Sequence, residues 1–379
     1  MPAVTEAASL SGASPLSGAS PLSGASPLSG ASPLSGAASA SDALLEVDNV
    51  SVSFHVEHGR VLRAVDTVSF QVAKGEVLGL VGESGCGKTT VAKCIVGQIT
   101  PNAGAVRLEG RELGPKRTAE DRRAIQMMFQ DPYSSLNPRM SVRQVLSELL
   151  GVHRIVPRAG IEDRCRELMA LVGLPPDALG GLPSQFSGGQ RQRIAIARAL
   201  AVEPRVIIAD EPVSALDVSV QATILRLFED LGSRLGLTIV FIPHNLAVVR
   251  HLSRRVVVMY LGRIVEEGGR ESVFDDPRHP YTRALLEAAP RLHQTELVRP
   301  VVRGEPPSPI DIPAGCSFHP RCPRAEEVCS QVRPLLESVG TGDEHLAACH
   351  FRGEASPRFS NGAPPTYRDE APFGALEGP

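Results

Sequence analysis

The sequence predicts an α/β protein: a parallel sheet interleaved with helices, preceded by an antiparallel β layer and followed by a small cysteine-rich extension. Three observations carry this. Val50, Val52, Phe54 and Val56 alternate with Ser51, Ser53 and His55, and Val68, Phe70 and Val72 repeat the two-residue period of half-buried strands. Nearly unbroken apolar runs occur at Val77–Val81, 206–209, Thr238–Ile242 and 256–259, as expected of strands covered on both faces. Helical patterns lie between these runs, and strands that alternate with helices imply a parallel sheet.

The chain has 379 residues, 42% of them hydrophobic, enough for two folded units or one large unit with appendages. No run approaches the roughly 18 to 20 continuous apolar residues that span a bilayer, and the first residues lack the charged start and apolar core of a signal peptide, so a cytoplasmic location is expected. A net charge of −3, from 39 basic against 42 acidic residues, gives no broad basic footprint, which argues against a nucleic-acid partner.

From 11 to 34 the hexamer SGASPL repeats four times, with a partial copy through Ala37. Such composition buries too little apolar surface to offset chain entropy, so 1–42 reads as a disordered tail. A six-residue β-helix repeat is the sharper alternative; proline in every copy and a single leucine oppose it. Folding is expected from Ala43. Residues 131–201 read as mainly helical, with 162–172 at helical spacing and Gly173 as its stop. Composition shifts after 269 and becomes proline-rich over 300–323. The expected division is therefore a tail over 1–42, a main domain over 43–269 with a helical subdomain at 131–201, an extension over 270–352 and a loose tail over 353–379.

The strand ending at Val81 runs into GESGCGKTT, that is Gly82, Glu83, Ser84, Gly85, Cys86, Gly87, Lys88, Thr89 and Thr90, and then into a helical pattern from Val91. This is GxxxxGK[ST] in its strand-loop-helix setting. The glycines let backbone amides wrap phosphates, and the helix N-terminus adds partial positive charge. Lys88 would reach the β- and γ-phosphates, and the Thr89 hydroxyl would ligate Mg²⁺. A second buried strand, 206–209, ends in Asp210 and Glu211. There Asp210 is suited to hold Mg²⁺ and Glu211 to orient and deprotonate the attacking water.

Between these sites lies FSGGQRQRIAIARAL, 186–200, and here the sequence resembles the ABC transporter ATPases. The resemblance implies a P-loop NTPase (RecA-like) core with an antiparallel β layer and a helical signature subdomain, using ATP and Mg²⁺. The family's signature falls on Ser187, Gly188, Gly189 and Gln190, a serine-led helix start whose amides can face a phosphate. In the family that phosphate belongs to ATP held by the opposite subunit. Gln130, in MMFQDPYSSLNPRM, matches the glutamine that senses Mg²⁺ and water and couples to the membrane subunits; 214–217 matches the D-loop, and His244 the switch histidine at the γ-phosphate. Two departures stand beside it: Pro243 replaces the usual serine and Asn245 a common aspartate. No tyrosine precedes the phosphate loop where the family stacks an aromatic on adenine, leaving Phe54 and His58 as candidates.

QDPYSSLNPRM, ADEPVSALDVSVQA, VVVMYLGRIVEEG and HPYTRALL resemble the oligopeptide, dipeptide and nickel importer branch, in particular its F-type ATPase, over residues 44–350. That branch implies a second ABC ATPase subunit, two transmembrane permease subunits and an extracytoplasmic solute-binding protein, with this chain peripheral on the cytoplasmic face of the bacterial membrane. Four of seven cysteines, Cys316, Cys322, Cys329 and Cys349, fall within 34 residues, which in a cytosolic chain favours a metal over disulfides. In the resembling proteins the matching cysteines bind a [4Fe-4S] cluster. Four thiolates suit that cluster or zinc, with His319 and His350 available to a mixed zinc site. Two rivals remain. A soluble ABC protein acting on ribosomes or damaged DNA should carry tandem ATPase units, a coiled coil or a basic surface. A soluble ABC ATPase with a redox-sensing metal cluster would use ATP only for regulation.

Overall fold

The structure, a computed structural model, describes residues 43–56, 59–129, 136–214, 216–243, 246–288, 304–340 and 344–355. The repeat segment 1–42 and residues 356–379 lie outside them.

Alternation in the first two strands, β1 (Ala43–His55) and β2 (Val61–Ala73), sends Val47, Val50, Val52, Val65, Val68, Phe70 and Val72 into one core. The two strands pair antiparallel, and β1 pairs on its other side with β4 (Ala103–Leu108), which carries β5 (Arg111–Glu112) at the edge. The fully apolar runs form a second sheet. Strands β3 (Val77–Val81), β6 (Ile125–Met128), β7 (Val206–Asp210), β8 (Thr238–Ile242) and β9 (Arg255–Tyr260) are parallel in the order β9-β3-β8-β7-β6. Both expected β layers are present.

Helix α1 (Lys88–Val96) lies between the sheets and buries Val91, Ala92, Cys94 and Ile95 against residues of both. It begins at Lys88, three residues before the apolar pattern does. The short α2 (Ala119–Ala124) then leads directly into β6.

The helical region holds α3 (Val142–Val152), α4 (Ile161–Leu171) and α5 (Gly188–Leu200), packed on one another, with α5 also on α6 (Val218–Leu235). Leu146, Leu150, Leu168 and Ile194 are fully buried there; truncating any of them to alanine costs about 2–5 kcal/mol. Helix α4 stops as the sequence expects. Gly173 takes φ 65°, and Gly173 N and Leu174 N donate to Ala170 O and Met169 O, closing the last turn. Among the described residues no helix is long and apolar enough to cross a membrane.

Beyond β9 the main sheet continues. Strand β10 (Arg263–Gly269) pairs antiparallel with β9, and β12 (Leu346–Ala347) and β11 (Glu337–Ser338) extend it further, so part of the 270–352 segment shares the main sheet. Helices α7 (Leu246–Leu252), α8 (Arg270–Asp275), α9 (Pro280–Ala288) and α10 (Glu327–Gln331) complete this side. One buried carboxylate ties it together: Glu266, with no exposed surface, accepts from Arg278 N at 2.7 Å, His279 N at 2.9 Å and His345 Nε2 at 2.7 Å. A polar group so deep in the protein is tolerable only with several such partners.

Candidate nucleotide site

Because β3, β8 and β7 are parallel neighbours, their carboxyl ends lie along one edge, where ligands of open α/β sheets bind. Ile242 is paired directly with Asp210, so the carboxyl ends of β8 and β7 lie side by side.

The loop requires its glycines. Gly82, Gly85 and Gly87 take φ of 152°, 80° and 108°. A β-carbon on Gly82 would stand 2.2 Å from Met259 O, and one on Gly87 2.3 Å from Ala64 O. Lys88 folds back over the loop, its Nζ donating to Gly82 O at 2.8 Å and Glu83 O at 3.0 Å. Cys86 is buried and its thiol is pushed up by desolvation, against the opposing pull of Lys88, so it is a neutral packing group.

Across the edge, Thr89 Oγ1 donates to Asp210 Oδ1 at 3.4 Å, bringing the two expected Mg²⁺ residues together. Burial raises the Asp210 carboxyl and nearby Glu211 adds to it, while the Thr89 bond and Lys88 oppose. A bound cation would reverse that balance. Glu211 sits in the left-handed region at φ 48°, its N–H donating to Ile242 O at 2.7 Å. Non-glycine residues rarely adopt this conformation, and it concentrates at functional sites.

The signature residues start α5. Ser187 Oγ accepts from Gln190 N at 3.3 Å, and Gln190 Oε1 accepts from Ser187 N at 3.0 Å, a reciprocal cap. Gly188 and Gly189 have a packing reason besides the one read from sequence: β-carbons there would stand 3.1 Å from Leu216 and 2.5 Å from Val220. The D-loop stretch around them is pinned by Gln221, whose Nε2 donates to Val213 O and Leu216 O at 2.9 Å each, a contact that sequence reading missed. Gln130, His244, Asn245, His58 and Ala215 lie outside the described residues. Pro243 is buried, and Phe54, at 40% exposure, stays open to solvent on β1.

Sequence reading also missed what holds Glu83. Its N–H donates to Tyr281 Oη at 2.7 Å, and its carboxylate takes both terminal nitrogens of Arg321, at 3.1 and 3.2 Å. HPYTRALL was legible only as a family mark. Its local logic is a helix start: buried His279 accepts through Nδ1 from Tyr281 N at 3.1 Å, and Pro280 opens α9 with its fixed φ.

Burial pushes the thiols of Cys316 and Cys322 up to about 11 and about 12, and that of Cys349 up as well, each raised further by other members of the four. Cys316, Cys322, Cys329 and Cys349 thus share one electrostatic neighbourhood. Among the described residues, however, no three His, Cys, Asp or Glu side chains are grouped to hold a metal ion.

The model of the ABC transporter family matches residues 65–214, and that of the oligopeptide/dipeptide transporter C-terminal region matches 265–329. The probable peptide ABC transporter ATP-binding protein y4tS of Sinorhizobium fredii is 47% identical over 327 residues, covering 83% of this chain and 92% of that protein. The oligopeptide transport ATP-binding protein AppF of Bacillus subtilis is 44% identical over 323 residues, covering 82% and 98%. Among solved structures, cbiO1 of Clostridium perfringens, part of an ABC transporter complex, aligns with TM-score 0.56 at 28% identity over 62% of this chain and 91% of its own. An ATP-binding cassette captured as a post-hydrolysis dimer with ADP and Pi aligns with TM-score 0.53 at 27% identity over 60% and 98%.

Proposed function

This chain belongs to the ABC transporter ATP-binding proteins, and from that footing we propose that it hydrolyses ATP to power import of oligopeptides, dipeptides or related small solutes. The observation that carries the chemistry is the convergence of Thr89 and Asp210 at 3.4 Å beside a glycine-built phosphate loop. The amides of that loop and Lys88 would bind the phosphates, and Thr89 and Asp210 would hold Mg²⁺. Glu211 takes a proton from the water that attacks the γ-phosphorus, and ADP leaves with the bridging oxygen. Gln130 and His244 enter by family correspondence as the coupling and γ-phosphate residues.

Ser187, Gly188, Gly189 and Gln190 would complete the ATP site of a second ATPase subunit, a reading supported by the dimeric solved relatives. Two permease subunits and an extracytoplasmic solute-binding protein would form the rest of the importer, with this chain on the cytoplasmic face. The relatives named above are transporter ATP-binding proteins, which favours this over a soluble ABC ATPase. Cys316, Cys322, Cys329 and Cys349 would hold the [4Fe-4S] cluster of the resembling proteins; four thiols in one neighbourhood are a donor set that suits that group, as it also suits zinc. Such a cluster, when bound, supplies a covalent cross-link between the segments bearing its thiolates.

The test is phosphate release by the assembled transporter. Glu211→Gln is expected to lower turnover at least about 100-fold while ATP still binds. Turnover at the wild-type rate would overturn the assignment of the base.

A further inference from the structure

Glu83 is the second residue of the phosphate loop, yet its N–H and its carboxylate are both committed to residues far along the chain. Its N–H is committed to Tyr281 Oη at 2.7 Å, and its carboxylate to the guanidinium fork of Arg321 at 3.1 and 3.2 Å. Paired N–H donors on a carboxylate fix orientation as well as position. Meanwhile Glu83 O receives Lys88 Nζ at 3.0 Å and Cys86 N at 3.2 Å. One residue therefore joins the loop's lysine to a clamp that lies 198 and 238 positions further along the chain.

The clamp is itself buried and packed among aromatic rings. Tyr281 is 1% exposed and Arg321 8%. The ring of Tyr260 lies 4.5 Å from that of Tyr281 and 5.4 Å from that of Phe318, and the Arg321 guanidinium stands 5.9 and 5.8 Å from the rings of Tyr260 and Phe318. Arg321 Nη1 also donates to Tyr260 Oη at 3.3 Å. A loop with three glycines at positive φ has many conformations available, and holding it in one lowers what a ligand must spend on ordering it.

We propose that Arg321 and Tyr281 are positioning residues for ATP: acting through Glu83, they hold the phosphate loop in its binding shape, so nucleotide affinity depends on the segment beyond residue 270. This rests on the ATPase reading above. The experiment uses the full chain, measuring ATP binding alone and KM and kcat in the assembled transporter for Glu83→Gln, Arg321→Met, Arg321→Lys and the double variant Glu83→Gln with Arg321→Met. Glu83→Gln and Arg321→Met are each expected to weaken ATP binding about 5- to 20-fold, with the loss falling on KM more than on kcat, and Arg321→Lys to restore part of it. The double variant should be no weaker than the worse single one, because both break the same contact. Glu83 is partly exposed, with 29% of its side chain open, so Glu83→Gln decides the matter even if Arg321→Met fails to fold. Wild-type affinity in Glu83→Gln, or losses that multiply in the double variant, would overturn the positioning role alone. A wild-type chain that does not bind ATP would overturn the ATPase reading together with it.

Discussion

Helices α1 and α5 both have glycine at their starts and both serve, on the reading above, a phosphate, yet their first turns are completed in opposite ways. Helix α1 starts from Gly87 in the left-handed region with no side-chain cap, so its leading amides are left to whatever the loop encloses. Helix α5 starts from Ser187 with a reciprocal cap to Gln190. The serine oxygen is occupied as an acceptor there, while its O–H remains a donor. The first helix end is shaped for a ligand held within this chain. The second is stable by itself and can offer a hydroxyl and glycine amides to a ligand held elsewhere, as a site shared between two subunits requires.

The strongest way to break this comparison is to give α1 an ordinary start. Gly87→Ala places a methyl 2.3 Å from Ala64 O at a φ of 108° that alanine resists. We expect ATP affinity to fall about 100-fold, since strained backbone of this kind costs about 1–3 kcal/mol before the clash is counted. Titration of the purified chain with ATP reads the effect. Unchanged affinity would mean that the loop's shape is not set at Gly87.

Removing the cap of α5 should do less, and to a different property. Ser187→Ala is expected to cost about 1 kcal/mol of stability, seen as a drop of about 2–4 °C in the melting temperature. Hydrolysis by the assembled pair should fall further than ATP binding to the isolated chain. Equal losses in both would argue that Ser187 serves only its own helix.

The two helix starts were not equally legible beforehand. GESGCGKTT and the acids after 206–209 are local signals, since each functional group follows an apolar strand within a few residues, and the structure brings Thr89 and Asp210 together. The packing role of Gly188 and Gly189 against Leu216 and Val220 was not legible, because nothing in the spacing of 187–190 reports a close approach by residues about thirty positions away. The Arg321 clamp was hidden for the same reason at greater range: arginine in FHPRCP is an ordinary surface residue until the fold buries it beside Glu83. The extension was expected to begin after 269, but two-residue strands such as β11 and β12 carry no periodicity that could have predicted their place on the main sheet.

A third helix start gives the smallest and most specific test. Helix α9 is capped by His279, whose Nδ1 must be unprotonated to accept from Tyr281 N, and burial holds the imidazole down to about 3 from an ordinary value of 6.5. The unfolded chain takes up a proton near pH 6.5, and the folded chain does not until about pH 3. Stability from this group is therefore complete above pH 6.5 and is lost progressively as pH falls toward 3. Between about pH 7.5 and about pH 6 the loss should be about 0.8 kcal/mol, rising toward about 1.4 kcal/mol per further pH unit. His279→Asn keeps an acceptor at the cap and has no proton to take up, so its stability should follow a shallower pH slope, the difference approaching one proton below about pH 5.5. Denaturant unfolding at a series of pH values checks this. Parallel slopes would show that His279 is protonated inside the fold, and Tyr281 would then owe its position beside Glu83 to Pro280 and the aromatic packing alone.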